Sequence, residues 1–268
     1  MTEPDEVEQS GSSRPVDPGP AAGQALPRNA ASWATTVDRL EVEEREGMRG
    51  TNVSGRRLTS PIQGFGRMWQ KTYSTSLGDA ATPRQVIATW KAHFPEFWPA
   101  GNRFAGAMTG ISPGDVALLD LAVGGVKLST GVFVLYADEE SFTLMTPEGH
   151  MFAGWISFSA EDVGSGTVAQ AQVLMRANDP LYELGLTFGG HRQEDRFWAE
   201  TLTALARRFG VAEPIIATKT VCVDRRRQWR NVGNTWHNAM IRSMLQVITH
   251  PRGRSRPRPA GGKSAPHG

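Results

Sequence analysis

From Val116 to Arg176 the chain passes through five β-patterned segments separated only by short, turn-forming breaks. No other feature limits its possible folds as much. The segments are 116–123 (Val-Ala-Leu-Leu-Asp-Leu-Ala-Val), 131–137 (Gly-Val-Phe-Val-Leu-Tyr-Ala), 141–146, 152–159 and 166–176. The breaks carry Gly124-Gly125, Asp138-Glu139-Glu140, Pro147-Glu148-Gly149 and Glu161-Asp162-Val163-Gly164. None is long enough to hold a crossover helix, so neighbouring strands must pair antiparallel. In 166–176, Thr167, Ala169, Ala171, Val173 and Met175 share one face. That small, largely apolar face suits a sheet lining a core or a cavity.

Helical signals flank the strands. A strand over 67–76, with Met68, Trp69 and Tyr73, comes first. Thr82-Pro83-Arg84-Gln85 then reads as a capping box with proline in the first turn. Val86, Ile87, Trp90 and Phe94 give the helix that follows one apolar face, and Pro95 ends it. Asp179-Pro180 opens a short helix through Leu181, Leu184 and Leu186, broken by Gly189-Gly190. Residues 193–209 form the strongest helix. Trp198, Leu202, Leu205 and Phe209 make a continuous stripe, and Gly210 stands at C′. The order strand, helix, five strands, long helix predicts an α+β domain over 60–215, a two-layer fold with a curved antiparallel sheet wrapped around a long C-terminal helix.

The flanks read differently. Residues 1–50 begin rich in Pro, Gly, Ser and Ala and are expected to be disordered or weakly helical, the helical pattern resting on Trp33, Val37 and Leu40. Residues 216–250 read as a basic amphipathic extension and 251–268 as a disordered tail. Residues 219–268 hold 11 Lys/Arg against one acid, Asp224, for a net of +10. Residues 1–218 hold 18 basic against 26 acidic residues, for a net of −8, which together restore the overall +2. A single cysteine, Cys222, forms no internal disulfide, and the acidic N-terminus lacks an apolar signal region, so a cytoplasmic location is expected.

The element order resembles the helix-grip fold of the START-like superfamily, also called SRPBCC. Residues 90–209 more narrowly resemble the uncharacterised bacterial and plant YndJ-like group. The carrying segments are Trp90-Lys91-Ala92-His93, Pro113-Gly114-Asp115-Val116-Ala117-Leu118-Leu119, Thr143-Leu144-Met145-Thr146-Pro147-Glu148-Gly149-His150 and Glu194-Asp195-Arg196-Phe197-Trp198. In the group's pattern the glycine-histidine pair is preceded by proline and followed by acids. Here Glu148 is inserted, and Phe152-Ala153-Gly154-Trp155 stands where acids would be. The superfamily includes lipid carriers, hormone receptors, cyclases and aromatases, so the resemblance implies a cavity rather than one activity.

Three sets of residues carry functional readings. Glu148 and His150 form a possible acid/base pair at a turn, where a carboxylate would raise the histidine's proton affinity; turn formation explains the same residues. Trp69, Tyr136, Trp155, Phe158, Trp198 and His191 are candidate ligand-binding residues of a hydrophobic cavity, or ordinary core and helix-start residues. Arg225, Arg226, Arg227, Trp229 and Arg230 mix charge with an aromatic, compatible with an anionic membrane surface or nucleic acid, and Trp236, Met240, Met244 and Ile248 continue as an amphipathic helix over 234–249. Phosphate-loop, dinucleotide, nucleophile-elbow and zinc-protease motifs are absent from the sequence, the histidines lack metal-ligand spacing, and no cofactor is expected. The leading expectation is binding of a small hydrophobic or lipid-like molecule, with a cyclase, aromatase or hydrolase using His150 and Glu148, or docking through 219–268, as alternatives.

Overall fold

A computed structural model describes residues 29–249 apart from 43, 45, 46, 49, 107–109 and 124. The expected disorder of 1–28 and 251–268 lies outside the described residues. The chain falls into two units, Met1–Ala30 and Ala31–Gly268, and the sheet and α-helices belong to the second.

The elements in order are β1 (Met68–Gly78), α1 (Pro83–Ala92), β2 (Arg103–Ala105), β3 (Val116–Val123), β4 (Val126–Ala137), β5 (Ser141–Met145), β6 (Phe152–Asp162), β7 (Thr167–Ala177), α2 (Pro180–Gly185), α3 (His191–Arg208), β8 (Ile216–Asp224) and α4 (Ala239–Thr249). They form one 8-stranded sheet in the order β2-β3-β4-β5-β6-β7-β1-β8. Every pairing is antiparallel, as the short breaks require. With α1 and the long α3 packed against it, this is the helix-grip α+β architecture.

α1 starts where its capping box predicts. Thr82 Oγ1 accepts the Gln85 amide, and Gln85 Oε1 accepts the Thr82 amide at 2.9 Å. These bonds occupy donors that a helix N-terminus otherwise leaves free. The apolar face of α1 then buries Trp90 and leads into Phe94; edge-to-face contacts link these rings to Phe142 and Phe158. The second half of α3 closes on the same cluster through fully buried Leu202, Leu205 and Ala206.

The sheet extends beyond the segments expected of it. β8 adds an antiparallel edge strand next to β1, past the expected domain limit at 215. Ile-Ala-Thr-Lys-Thr-Val-Cys-Val is β-prone, yet most of it is exposed, and the arginines that follow it at 225–230 dominate a reading from composition. At the opposite edge, β2 pairs with β3 over three residues, too few to leave an alternation pattern. The helix expected from Trp33 to Leu40 does not form. Instead Trp33 bridges to Tyr136, and Leu40, Met48 and Val53 pack on Leu118 and Phe133 across the second face of the sheet. The amphipathic segment 234–249 divides into the end of a 3-10 helix (Trp229–His237) and α4, which packs near β4. No helix among the described residues is long and apolar enough to cross a membrane.

Replacement of Trp90 by alanine removes the hub of the aromatic cluster and is expected to cost about 3–5 kcal/mol of stability. Thr82→Ala removes only a cap and should cost about 1 kcal/mol. Urea denaturation of both variants checks this ranking; equal losses would contradict it.

Candidate ligand cavity

The C-terminal half of α3 packs tightly on the aromatic cluster, and its first turns are tied to β1 through Lys71. Between them lies a cavity of about 780 Å³, walled by β3 to β7, α2, α3 and the start of α4. Its lining is mostly apolar, with Leu119, Leu144, Ile156, Val173, Phe197 and Met244 among its residues. The entry to α3 is irregular. Leu186–Gly190 forms a π-type turn in which Phe188 and Gly189 leave helical geometry, and Gly189 takes φ 112°. That conformation is open to glycine and costly for other residues. The expected break at Gly189-Gly190 is therefore a kink between α2 and α3.

One histidine reaches this cavity. His150 ends the β5–β6 turn, which is pinned from three sides. Thr59 N–H donates to Thr146 O at 2.9 Å, Glu148 N–H to Arg57 O at 2.8 Å, and Ala239 N–H to Gly149 O at 2.9 Å. Gly149 has φ 87°, and a Cβ there would stand 2.1 Å from His237 O, so glycine lets the segment leading into α4 lie directly on the turn. His150 is only 6% exposed. Phe152 N–H donates to its Nδ1 at 3.0 Å, which leaves the proton of the neutral ring on Nε2. Burial holds the imidazole down to about 4, so it is neutral at physiological pH.

Glu148 does not join it. Its Oε2 accepts the Arg57 amide at 3.3 Å, and the residue lines a separate small pocket with Asn178, Asn231 and His237. Alternation around a turn does not hold across Gly149, so the two side chains part. The geometry brings no carboxylate to His150 as an acid/base partner.

The sequence groups His191, Arg192, Glu194 and Asp195 as a polar cluster at the start of α3, but their partner Lys71 on β1 escaped the reading. Lys71 on β1 is 1% exposed. Its Nζ donates to Asp195 Oδ1 at 2.7 Å and stands 2.9 Å from Glu194 Oε2, an ion pair without hydrogen-bond geometry. Tyr73 donates to the same Asp195 oxygen at 2.7 Å. Glu194 lines the cavity and is the one charged residue that does so among the described residues. Burial pushes its carboxyl up to about 7, outweighing the neighbouring Lys71, whose ammonium Asp195 shares. The signals were present: Glu194 precedes Trp198 by one helical turn, on the apolar stripe, and Lys71 shares a strand face with Tyr73.

The expected ligand-binding residues separate. Trp155 and Trp198 line the cavity. Phe158 is buried in the aromatic cluster, stacked on Phe142. Tyr136 lies against Trp33 and bonds Asp138. Trp69 packs edge-on to His191 and under Arg67, and neither Trp69 nor His191 lines the cavity. His191, beside Lys71, is held below its usual value by burial. Of the basic segment, Arg225, Arg226 and Arg230 are exposed, Arg227 pairs with Glu183 at 3.1 Å, and Trp229 packs on Phe65 while remaining 70% exposed.

No family model and no curated protein matches the chain. Among solved structures it is similar to the di-domain aromatase/cyclase StfQ from the steffimycin biosynthetic pathway, at 12% identity and TM-score 0.42 over 54% of this chain and 53% of that one. The match thus spans about half of StfQ. It is also similar to a START superfamily protein from Mycobacterium smegmatis (20% identity, TM-score 0.37, 54% of this chain and 98% of that one) and to Ara h 8.0201 (14%, 0.38, 53% and 97%). None of these is described as YndJ-like. The likeness is one of fold and says nothing of ligand or reaction.

The two buried titrating groups predict opposite pH dependences. His150 has a folded value below that of the unfolded chain, so the stability it contributes is full above about 6.5 and is lost as pH falls through about 4. Glu194 has a raised folded value, so its contribution is full below about 4.5 and is lost as pH rises through about 7. Urea denaturation from pH 4 to 8 should show wild type gaining on His150→Gln and losing on Glu194→Gln as pH rises. Each swing is on the order of 3 kcal/mol, at about 1.4 kcal/mol per unit. Curves parallel to wild type would contradict both assignments.

Proposed function

We propose that the protein binds a small hydrophobic or lipid-like molecule in the cavity between the sheet and α3. The observation that carries this reading is the cavity itself, about 780 Å³ with a mostly apolar wall. Its size falls within the range of small-molecule sites, roughly 300–1,000 Å³. Its polar lining is sparse and mostly committed to the protein. Asn238 Oδ1 accepts the Met240 and Ile241 amides, Gln193 donates to Ala122 O, and Asn102 accepts the Ala122 amide. A wall of this kind holds apolar surface away from water, at about 25 cal/mol per Å² of ligand. The reading is one of binding and assigns no bond-making step.

Native mass spectrometry of protein purified from its host tests it. The expected result is a small molecule that stays with the folded protein and is released on denaturation, and Ile156→Trp, which projects a bulky ring into the cavity, should lower its occupancy several-fold. Protein that carries nothing, or occupancy indifferent to Ile156→Trp, would contradict the reading.

A second reading concerns the C-terminal segment, where exposed Arg225, Arg226 and Arg230 surround the exposed indole of Trp229. Such a mixture favours docking on an anionic membrane surface. Charge reversal of the three arginines should abolish pelleting with phosphatidylserine vesicles; wild-type protein that does not pellet would dismiss this reading.

A further inference from the structure

The polar groups of the cavity wall without a full set of partners include the Trp98 indole N–H, the Glu194 carboxylate and the His150 imidazole. His150 is more than nine-tenths buried and lines the cavity. Its Nδ1 stands 3.2 Å from the Phe152 carbonyl oxygen and 3.0 Å from the Phe152 amide; the amide can only donate and is the closer, so Nδ1 accepts and the ring proton lies on Nε2. Once a ligand fills the cavity and displaces water, a donor left without a partner costs on the order of 1–3 kcal/mol, so a complementary acceptor gains that much in discrimination. The ring cannot readily reverse its polarity, because turning it over would strand the Phe152 amide.

The rest of the lining restricts what that acceptor is. Among the described residues no lysine or arginine lines the cavity, and Glu194 is its one charged member. A ligand carboxylate, sulfate or phosphate would enter without a counter-charge and beside an acid, which is strongly unfavourable in an apolar site. A cation at His150 would face a donor.

We propose that His150 Nε2–H anchors a neutral carbonyl oxygen of the ligand, so that the cavity selects an uncharged apolar molecule bearing a ketone, quinone or lactone carbonyl over its hydrocarbon and carboxylate counterparts. The inference rests on the cavity being a ligand site. It narrows that reading by excluding free fatty acids. His150 is here a positioning and specificity group, not a catalytic one.

Three fused-ring probes of one skeleton test it: fluorene, fluorenone and fluorenecarboxylate, titrated calorimetrically near pH 7.5. Fluorenone is expected to bind at least about ten-fold tighter than fluorene, equivalent to about 1.4 kcal/mol, with the carboxylate weakest. The infrared carbonyl stretch of bound fluorenone should move to the frequency of a hydrogen-bonded ketone. His150→Leu should abolish both the preference and the shift, and His150→Gln, which keeps a donor, should restore part of each. The wild-type ranking stands without either variant should His150→Leu fail to fold. Equal binding of fluorene and fluorenone, a carbonyl frequency typical of apolar solvent, or a preference that survives His150→Leu would overturn the anchor and leave the cavity in place. Failure of fluorene and fluorenone alike to bind would overturn the cavity reading and this inference with it.

Discussion

A buried lysine decides how the long helix meets the sheet. Lys71 projects from β1 into the interior, and its ammonium must find anions there, because an unpaired buried charge costs several kcal/mol. It finds Asp195 and Glu194, consecutive residues of the first turns of α3. That tether fixes one end of the helix against β1. The other end is fixed by burial of Leu202 and Leu205 against the aromatic cluster of Trp90, Phe94, Phe142 and Phe158. Between the two attachments Phe197 and Trp198 span open space instead of closing it. The cavity follows from the spacing of these anchorages along one rigid helix.

The same tether accounts for the electrostatics of the site. One ammonium serves two carboxylates, and the more exposed Asp195 takes the shorter contact and the Tyr73 hydroxyl as well. Glu194, fully enclosed, has the weaker claim and its carboxyl rises toward neutrality. At the turn after β5 a different constraint acts. The segment entering α4 lies on Gly149, and His150 is forced inward with one nitrogen already satisfied by the backbone. The cavity thus has an acid on the helix side and a neutral donor on the sheet side, with apolar wall between.

Much of the architecture was legible in the sequence because it rests on local signals. Short turn-rich breaks allow only antiparallel pairing, a capping box places α1, and a 3.6-residue stripe places α3. What escaped depended on long-range partners. Leu40 and Val53 have no periodicity of their own and owe their burial to Leu118 and Phe133, nearly eighty residues on in the chain. β8 was obscured by its exposure and by the arginines that follow it. Glu148 and His150 looked like a pair because they are two apart, yet a left-handed glycine between them turns one outward and one inward. Among the aromatics, composition could not separate Trp155 and Trp198, which meet the cavity, from Phe158, which lies in the packed core. That distinction depends on where α3 is anchored, and the pairing of helix-start Glu194 and Asp195 with Lys71 on β1 joins distant parts of the chain.

The central claim is that the space between α3 and the sheet is a stable apolar cavity. A crystal structure of the protein under xenon pressure tests this directly, since xenon occupies dry apolar cavities. The account predicts xenon density in the space bounded by Ile156, Val173 and Trp198, with Lys71 still bridging to Asp195. Side chains collapsed into that space, or ordered water filling it throughout, would contradict it.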